Sequence, residues 1–150
     1  MNVIATMSSG KSTLINALLE NKLMPSKNEA CTATITEILD VDNPHFSAVV
    51  YDGDNSMIQE VPELTLEIMG ELNDDENVHR ISAEGDIPVL DSKSTALMLV
   101  DTPGPNNAQN QAHKNTTYRA INSDSNNLIL YVLNGTQLST NDDAALLHYD

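Results

Sequence analysis

Hydrophobic positions change their period several times along this chain, and each change marks an element. Val3 to Ala5 is a short apolar run that reads as a strand. Leu14, Ile15, Leu18 and Leu19 then fall on one face at helical spacing, a stripe that a helix buries. Asn21 is placed to take the left-handed cap of that helix, and Pro25 keeps it from resuming. Thr32 to Leu39 alternates and is rich in threonine and isoleucine, so it predicts a loop turning into a strand. Phe46 to Tyr51 predicts another strand, closed by Asp52-Gly53. Leu64, Leu66, Ile68, Met69 and Leu72 predict a helix interrupted by Gly70 and ended by the acidic run Asn73 to Glu76. Strands follow at Val78 to Ala83 and Ala96 to Val100, the second broken sharply by Asp101-Thr-Pro-Gly104. Pro105 to Asn127 is rich in asparagine and glutamine and predicts a marginal, mobile helix. Leu128 to Leu133 predicts a buried strand, and a helix begins in Asp142 to Leu147.

Strands alternating with helices argue for an α/β fold with a mainly parallel sheet. Right-handed crossovers then place the loop after the first strand at the carboxyl edge of the sheet, where such folds bind ligands. The chain has 150 residues, enough for one domain with a core and too few for two.

Composition narrows the partners. A net charge of −15 repels nucleic acid and anionic lipid, so neither is expected on this surface. Anionic phosphates would therefore need a local trap of positive charge and N–H groups. Cys31 is the single cysteine, which excludes a disulfide framework and a zinc cluster and reads as a small buried apolar residue. The amino-terminal residues lack the basic end and apolar core of a signal peptide. No apolar run approaches the roughly 18 residues of a membrane span. The expected compartment is the cytoplasm. His113 reads as a structural histidine, and the acidic run around Asp74 as a solvated helix end.

One stretch fits the required trap. Ala5-Thr-Met-Ser-Ser-Gly-Lys-Ser12 has the form of a phosphate-binding Walker A loop, with Ala5 where a first glycine is usual. A strand turning into a helix aims successive N–H groups and the positive helix end at phosphate oxygens. Gly10 lets the backbone come close, Lys11 supplies a point charge for the β and γ phosphates, and the Ser12 hydroxyl ligates magnesium. The strand before the loop and the amphipathic helix after it supply the context that Gly-Lys-Ser alone lacks. Asp101-Thr-Pro-Gly104, ending a buried strand, is the second element. Its carboxylate can hold magnesium through water, and the Gly104 N–H can meet the γ phosphate. The two motifs in this order are more specific than either alone.

With these residues in place the chain resembles GTPases of the dynamin superfamily, in particular bacterial dynamin-like proteins. The stretches that carry the resemblance are Met7-Ser-Ser-Gly-Lys-Ser-Thr-Leu-Ile-Asn-Ala-Leu18, Met24-Pro-Ser-Lys-Asn-Glu-Ala-Cys-Thr-Ala33 and Leu99-Val-Asp-Thr-Pro-Gly-Pro-Asn-Asn107. Tyr131-Val-Leu-Asn-Gly-Thr-Gln-Leu138 completes the set, while Asp42 to Ser94 agrees only in general layout. The resemblance implies a P-loop NTPase three-layer sandwich, mainly parallel with one antiparallel strand and truncated before its last strands. It implies nucleotide contacts from Ser8, Ser9, Gly10, Lys11, Ser12 and Thr13, and magnesium held by Ser12, Thr32 and Asp101. Thr32 falls on the switch threonine that orients the attacking water. Ser8 falls on the loop serine near the β–γ bridging oxygen, and Gly104 on the glycine that senses hydrolysis. Met7 departs from the glutamine of eukaryotic dynamins and cannot position water by hydrogen bonding.

From this resemblance follow GTP and Mg2+ as ligands, GTP hydrolysis as the activity, and a homodimer through the GTPase domain. Membrane remodelling, with peripheral membrane association, would belong to regions of a longer parent. Two alternatives stay open: a non-hydrolysing nucleotide-dependent interaction module, and a GTPase of the ribosome-assembly kind. The guanine-reading Asn/Thr-Lys-x-Asp motif of the superfamily does not follow Leu133, since Asn134-Gly-Thr-Gln137 lacks both lysine and aspartate. Phe46–Tyr51 and Ala96–Val100 are expected to be antiparallel neighbours, and Val3–Ala5, Ala96–Val100 and Leu128–Leu133 to run parallel.

Overall fold

A computed structural model describes residues 2–5, 10–25, 34–89, 98–101 and 129–132. Among them the chain forms β1 (Asn2–Ala5), α1 (Lys11–Leu18), β2 (Ile35–Asp40), β3 (Ser47–Tyr51) and β4 (Met57–Val61). These are followed by α2 (Leu66–Asp74), β5 (Arg80–Gly85), β6 (Met98–Asp101) and β7 (Ile129–Val132). The strands make one sheet in the order β4-β3-β5-β2-β6-β1-β7.

β1 lies between β6 and β7 and runs parallel to both, as expected. The other expected neighbour relation is corrected. β6 pairs antiparallel with β2, whereas β3 pairs antiparallel with β4 and β5. With β2 parallel to β5, the sheet is mixed rather than mainly parallel with one reversed strand. The β3–β4 pairing follows from a short connection, whereas β2 beside β6 joins strands far apart in sequence. Asp52–Ser56 closes a tight hairpin between β3 and β4, its Asp52 carboxylate accepting from the N–H groups of Asp54 and Ser56 at 3.0 and 2.8 Å. A hairpin reverses the chain over a few residues and so generates antiparallel neighbours. β4 was not foreseen, because four of its five residues are exposed and it carries no apolar alternation.

Register places Thr36, Ile38 and Asp40 of β2 beside Ile81, Ala83 and Gly85 of β5, and Ile38 and Thr36 beside Leu99 and Asp101 of β6. Ala48 and Val50 of β3 extend that face. Its apolar members join Ile15 and Leu19 at α1, Met69 and Leu72 of α2, and Leu23 and Ile87 in one buried core. Each such side chain removed from water contributes about 1.5–3 kcal/mol against the entropy of ordering the chain. Gly85 is required here, because a Cβ at that position would lie 2.6 Å from Phe46 Cε1.

Helix α1 ends in a Schellman turn one residue earlier than expected. Glu20, not Asn21, takes the left-handed position at φ 49°. Asn21 N–H reaches Asn16 O at 3.2 Å, and Glu20 N–H reaches Ala17 O at 3.3 Å. Helix α2 runs through Gly70 without interruption; Thr65 caps its start by accepting from Ile68 N–H at 3.3 Å, and Asp75 follows its last turn. The helices expected within 105–127 and 142–147, and with them the third layer of the sandwich, lie outside the described residues. Among the described residues no helix is long and apolar enough to cross a membrane.

Candidate functional site

The site is built where β1 leads into α1 and β6 ends beside it. Gly10 precedes the helix with φ 86° and ψ 15°, a left-handed conformation that glycine adopts without the Cβ penalty of other residues. Among the described residues nothing lies within 4 Å of where its Cβ would be, and the backbone angle by itself favours glycine here. Leu14 N–H makes the first intrahelical bond, to Gly10 O at 2.9 Å. Helix geometry leaves the Ser12 and Thr13 amides ahead of that bond without an intrahelical acceptor. Among the described residues no side chain caps this end, and the first turn holds no acidic residue. The helix start thus presents N–H groups and a partial positive charge.

Lys11 and Asp101 meet across the strand boundary. The Lys11 ammonium lies 2.5 Å from Asp101 Oδ1, and each side chain keeps only 17% of its surface exposed. Asp101 is the last residue of β6, with its Cα in register with Val3 of β1 and Thr36 of β2. Burial between these strands raises the pKa of its carboxyl above the ordinary aspartate range, and the charge and hydrogen bonding of Lys11 partly offset that rise. Two residues 90 positions apart therefore share one charge contact at one edge of the sheet. Ser12 follows Lys11 and is half-buried.

A hydroxyl and a carboxylate are hard oxygen donors of the kind Mg2+ accepts. That ion takes one or two protein ligands and completes its shell with water and phosphate oxygens. Ser12 and Asp101 fit such an ion, and it needs no cluster of acidic side chains; none of three or more metal-binding groups occurs among the described residues. Gly10, Lys11, Ser12, Thr13 and Asp101 are thus placed by the structure. Ser8, Ser9, Thr32 and Gly104 lie outside the described residues, as do Met7, Cys31 and His113.

One residue of this region went unremarked in the sequence. Asn16, one turn beyond Ser12 on α1, folds its side chain over the segment after the helix. Its Oδ1 accepts from the N–H groups of Leu23 and Met24 at 2.9 and 2.7 Å, and its Nδ2 donates to Met24 O at 2.8 Å. The signal was a carboxamide set among Leu14, Ile15, Leu18 and Leu19. A buried polar group, Asp40, accepts from Ile87 N–H at 3.0 Å and holds the chain leaving β5.

Comparison with known proteins follows the same lines. The sequence profile described as the dynamin family matches residues 2–149. A comparison with curated proteins finds no match. Among solved structures, a chain of an oligomerised bacterial dynamin pair, described as providing a mechanism for long-range sensing and tethering of membranes, superposes with a TM-score of 0.72. It is 17% identical, and the match covers 97% of this chain and 24% of that one. A second chain, from a structure described in the same terms, superposes with a TM-score of 0.50 at 23% identity, covering 78% of this chain and 17% of the other. At these identities the likeness establishes a shared fold, and this chain spans about a quarter or less of each of those proteins.

Proposed function

This chain belongs to the dynamin family, and on that premise we propose that it binds guanine nucleotide with magnesium at the α1 start and carries the hydrolytic half of a GTPase site. The observation that carries the reading is the meeting of Lys11 and Asp101, brought from two distant motifs to one sheet edge. Gly10 lets the backbone approach a phosphate, and the Ser12 and Thr13 amides donate to its oxygens. Lys11 neutralises the β and γ phosphates as a point charge. Ser12 and Asp101, with Thr32, would hold magnesium. Bound there, the ion would supply charge neutralisation to the phosphates.

Ser8 sits beside the bridging oxygen in this reading. Thr32 orients the attacking water, and Gly104 reports the γ phosphate through its amide. Met7 cannot share the positioning of water, so that task falls to Thr32 and to the magnesium shell. In a longer protein the cycle would be coupled to pairing of GTPase domains and, through other regions, to a membrane.

Residues 1–150 contain no Asn/Thr-Lys-x-Asp sequence for the base. Loss of that charge-assisted contact costs on the order of 3 kcal/mol, about a hundredfold in affinity. The polypeptide should therefore bind magnesium-GDP weakly, separate GTP from ATP poorly and turn over negligibly. Fluorescent-nucleotide binding and phosphate release measure each of these. Lys11→Ala should abolish binding, and a Lys11→Ala chain that binds magnesium-GDP as well as wild type refutes the site. Brisk GTP-selective hydrolysis by residues 1–150 refutes the account of base recognition.

A further inference from the structure

β4 ends the sheet on the side away from β1 and β7, and among the described residues no strand pairs with its outer side. A strand in that place presents backbone N–H and C=O groups that bond no neighbour, which makes it a template for another strand. Its side chains are open as well. Met57 to Glu60 are exposed, with Met57 keeping 58% and Ile58 48% of its surface. Unpaired backbone beside two large apolar side chains is what a peptide adding to a sheet would cover.

Sheet edges are commonly guarded by bulges and charge, and here the charge has one sign. The register with β3 shifts between Val50 and Tyr51, and Glu60 stands on β4 itself. From Asp52 to Val78 the sequence has no lysine or arginine. Asp54, Glu60, Glu63, Glu67 and Glu71 are exposed on the hairpin, on β4 and on into α2. None of these five forms an ion pair among the described residues. Arg80, which follows this stretch, is engaged elsewhere, 4.2 Å from the Tyr51 ring centroid and 3.7 Å from Glu37 Oε2. Like charges across a strand pair destabilise it, and opposite charges support it. A second copy of this chain would bring the same acidic side chains to the edge, on a molecule of net charge −15. A basic strand would meet them with the opposite sign.

We propose that the outer edge of β4 is a docking site for an extended segment of a partner protein that carries lysine or arginine. The segment adds to the sheet beyond β4. Its backbone pairs with β4, its apolar side chains cover Met57 and Ile58, and its cations face Glu60 and Glu63. The acidic surround thereby selects the partner: it refuses another copy of the chain and admits a basic one.

The test uses residues 1–150 and a synthetic peptide of alternating lysine and valine, with binding followed by calorimetry and by amide NMR of the isotope-labelled chain. The peptide should bind and shift the amide resonances of Met57–Val61, leaving those of β1 and β7 in place. Methylating alternate backbone nitrogens of the peptide keeps its charge and removes its donors, and that peptide should not bind. Glu60→Lys should weaken binding of the unmethylated peptide about fivefold. Circular dichroism checks the fold of the variant, and the methylated peptide tests the proposal on wild type whether or not the variant folds. Equal binding of the two peptides would reduce the effect to charge attraction and overturn the site. No binding at about 1 mM peptide, or shifts confined to residues outside β4, would overturn it too. Sedimentation should show no dimer that Ile58→Lys dissolves; such a dimer would mean that copies of the chain cover β4, and the choice of a basic partner would be wrong.

Discussion

Asn16 offers the sharpest test of how α1 and the segment after it are held together. Replacing it by alanine removes one acceptor that serves two N–H groups, Leu23 and Met24, and one donor that serves the Met24 carbonyl. Leu23 and Met24 are buried, so their backbone groups cannot all turn to water without moving those side chains from the core. At about 1 kcal/mol for each of the three bonds the loss is about 3 kcal/mol, offset by about 0.6 kcal/mol of better helix propensity. The expected net cost is about 2.5 kcal/mol, a large share of the 5–15 kcal/mol typical of a domain. With a urea slope of about 2 kcal/mol/M, the unfolding midpoint should fall by about 1 M. Amide exchange at Leu23 and Met24 should quicken at the same time, because those two N–H groups lose their named acceptor. Asn16→Asp, which keeps an acceptor and loses the donor, should cost less and leave those two amides more protected than alanine does. A midpoint within about 0.2 M of wild type, or unchanged protection at both amides, would refute the clamp.

Two further outcomes follow from geometry and charge. Gly85→Ala should destabilise the fold by about 2–3 kcal/mol, because the new methyl overlaps the Phe46 ring; Phe46→Leu in the same chain should recover part of that loss in a thermal melt. An additive double mutant would show that the ring is not what Gly85 accommodates. Asp101, whose pKa the fold raises, takes up its proton at higher pH folded than unfolded. Its contribution to stability therefore increases as pH falls through the folded pKa and levels off below about 3.9, the unfolded value. Carboxyl carbon NMR should place its titration above the ordinary range, and Lys11→Met should raise it further; a normal or lowered value would contradict the burial argument.

The turn from β1 into α1 was legible because its signal is local. Gly10, Lys11 and Ser12 are consecutive, and a strand followed by an amphipathic stripe needs only periodicity to recognise. The parallel trio of β1, β6 and β7 was legible through the family resemblance that the motifs carry, on apolar runs that mark the strands. Asp101 was found the same way, as a carboxylate ending such a run. That it meets Lys11 was not, since contact across 90 residues depends on which strand lies beside which. The same limit explains the misplaced antiparallel neighbour. β2 and β3 have similar alternation, and only long-range pairing decides that β2 lies against β6. β4 carried no buried pattern because an edge strand needs none; its backbone hydrogen bonds to β3 form it. Gly70, a helix breaker by propensity, stayed helical because Met69 and Leu72 on either side bury in the core. The sequence by itself therefore determined the local chemistry, through consecutive residue types and backbone preference. Only the tertiary structure decided strand order, the Asn16 clamp and the Lys11–Asp101 pair, because each joins groups whose separation along the chain says nothing of their distance in space.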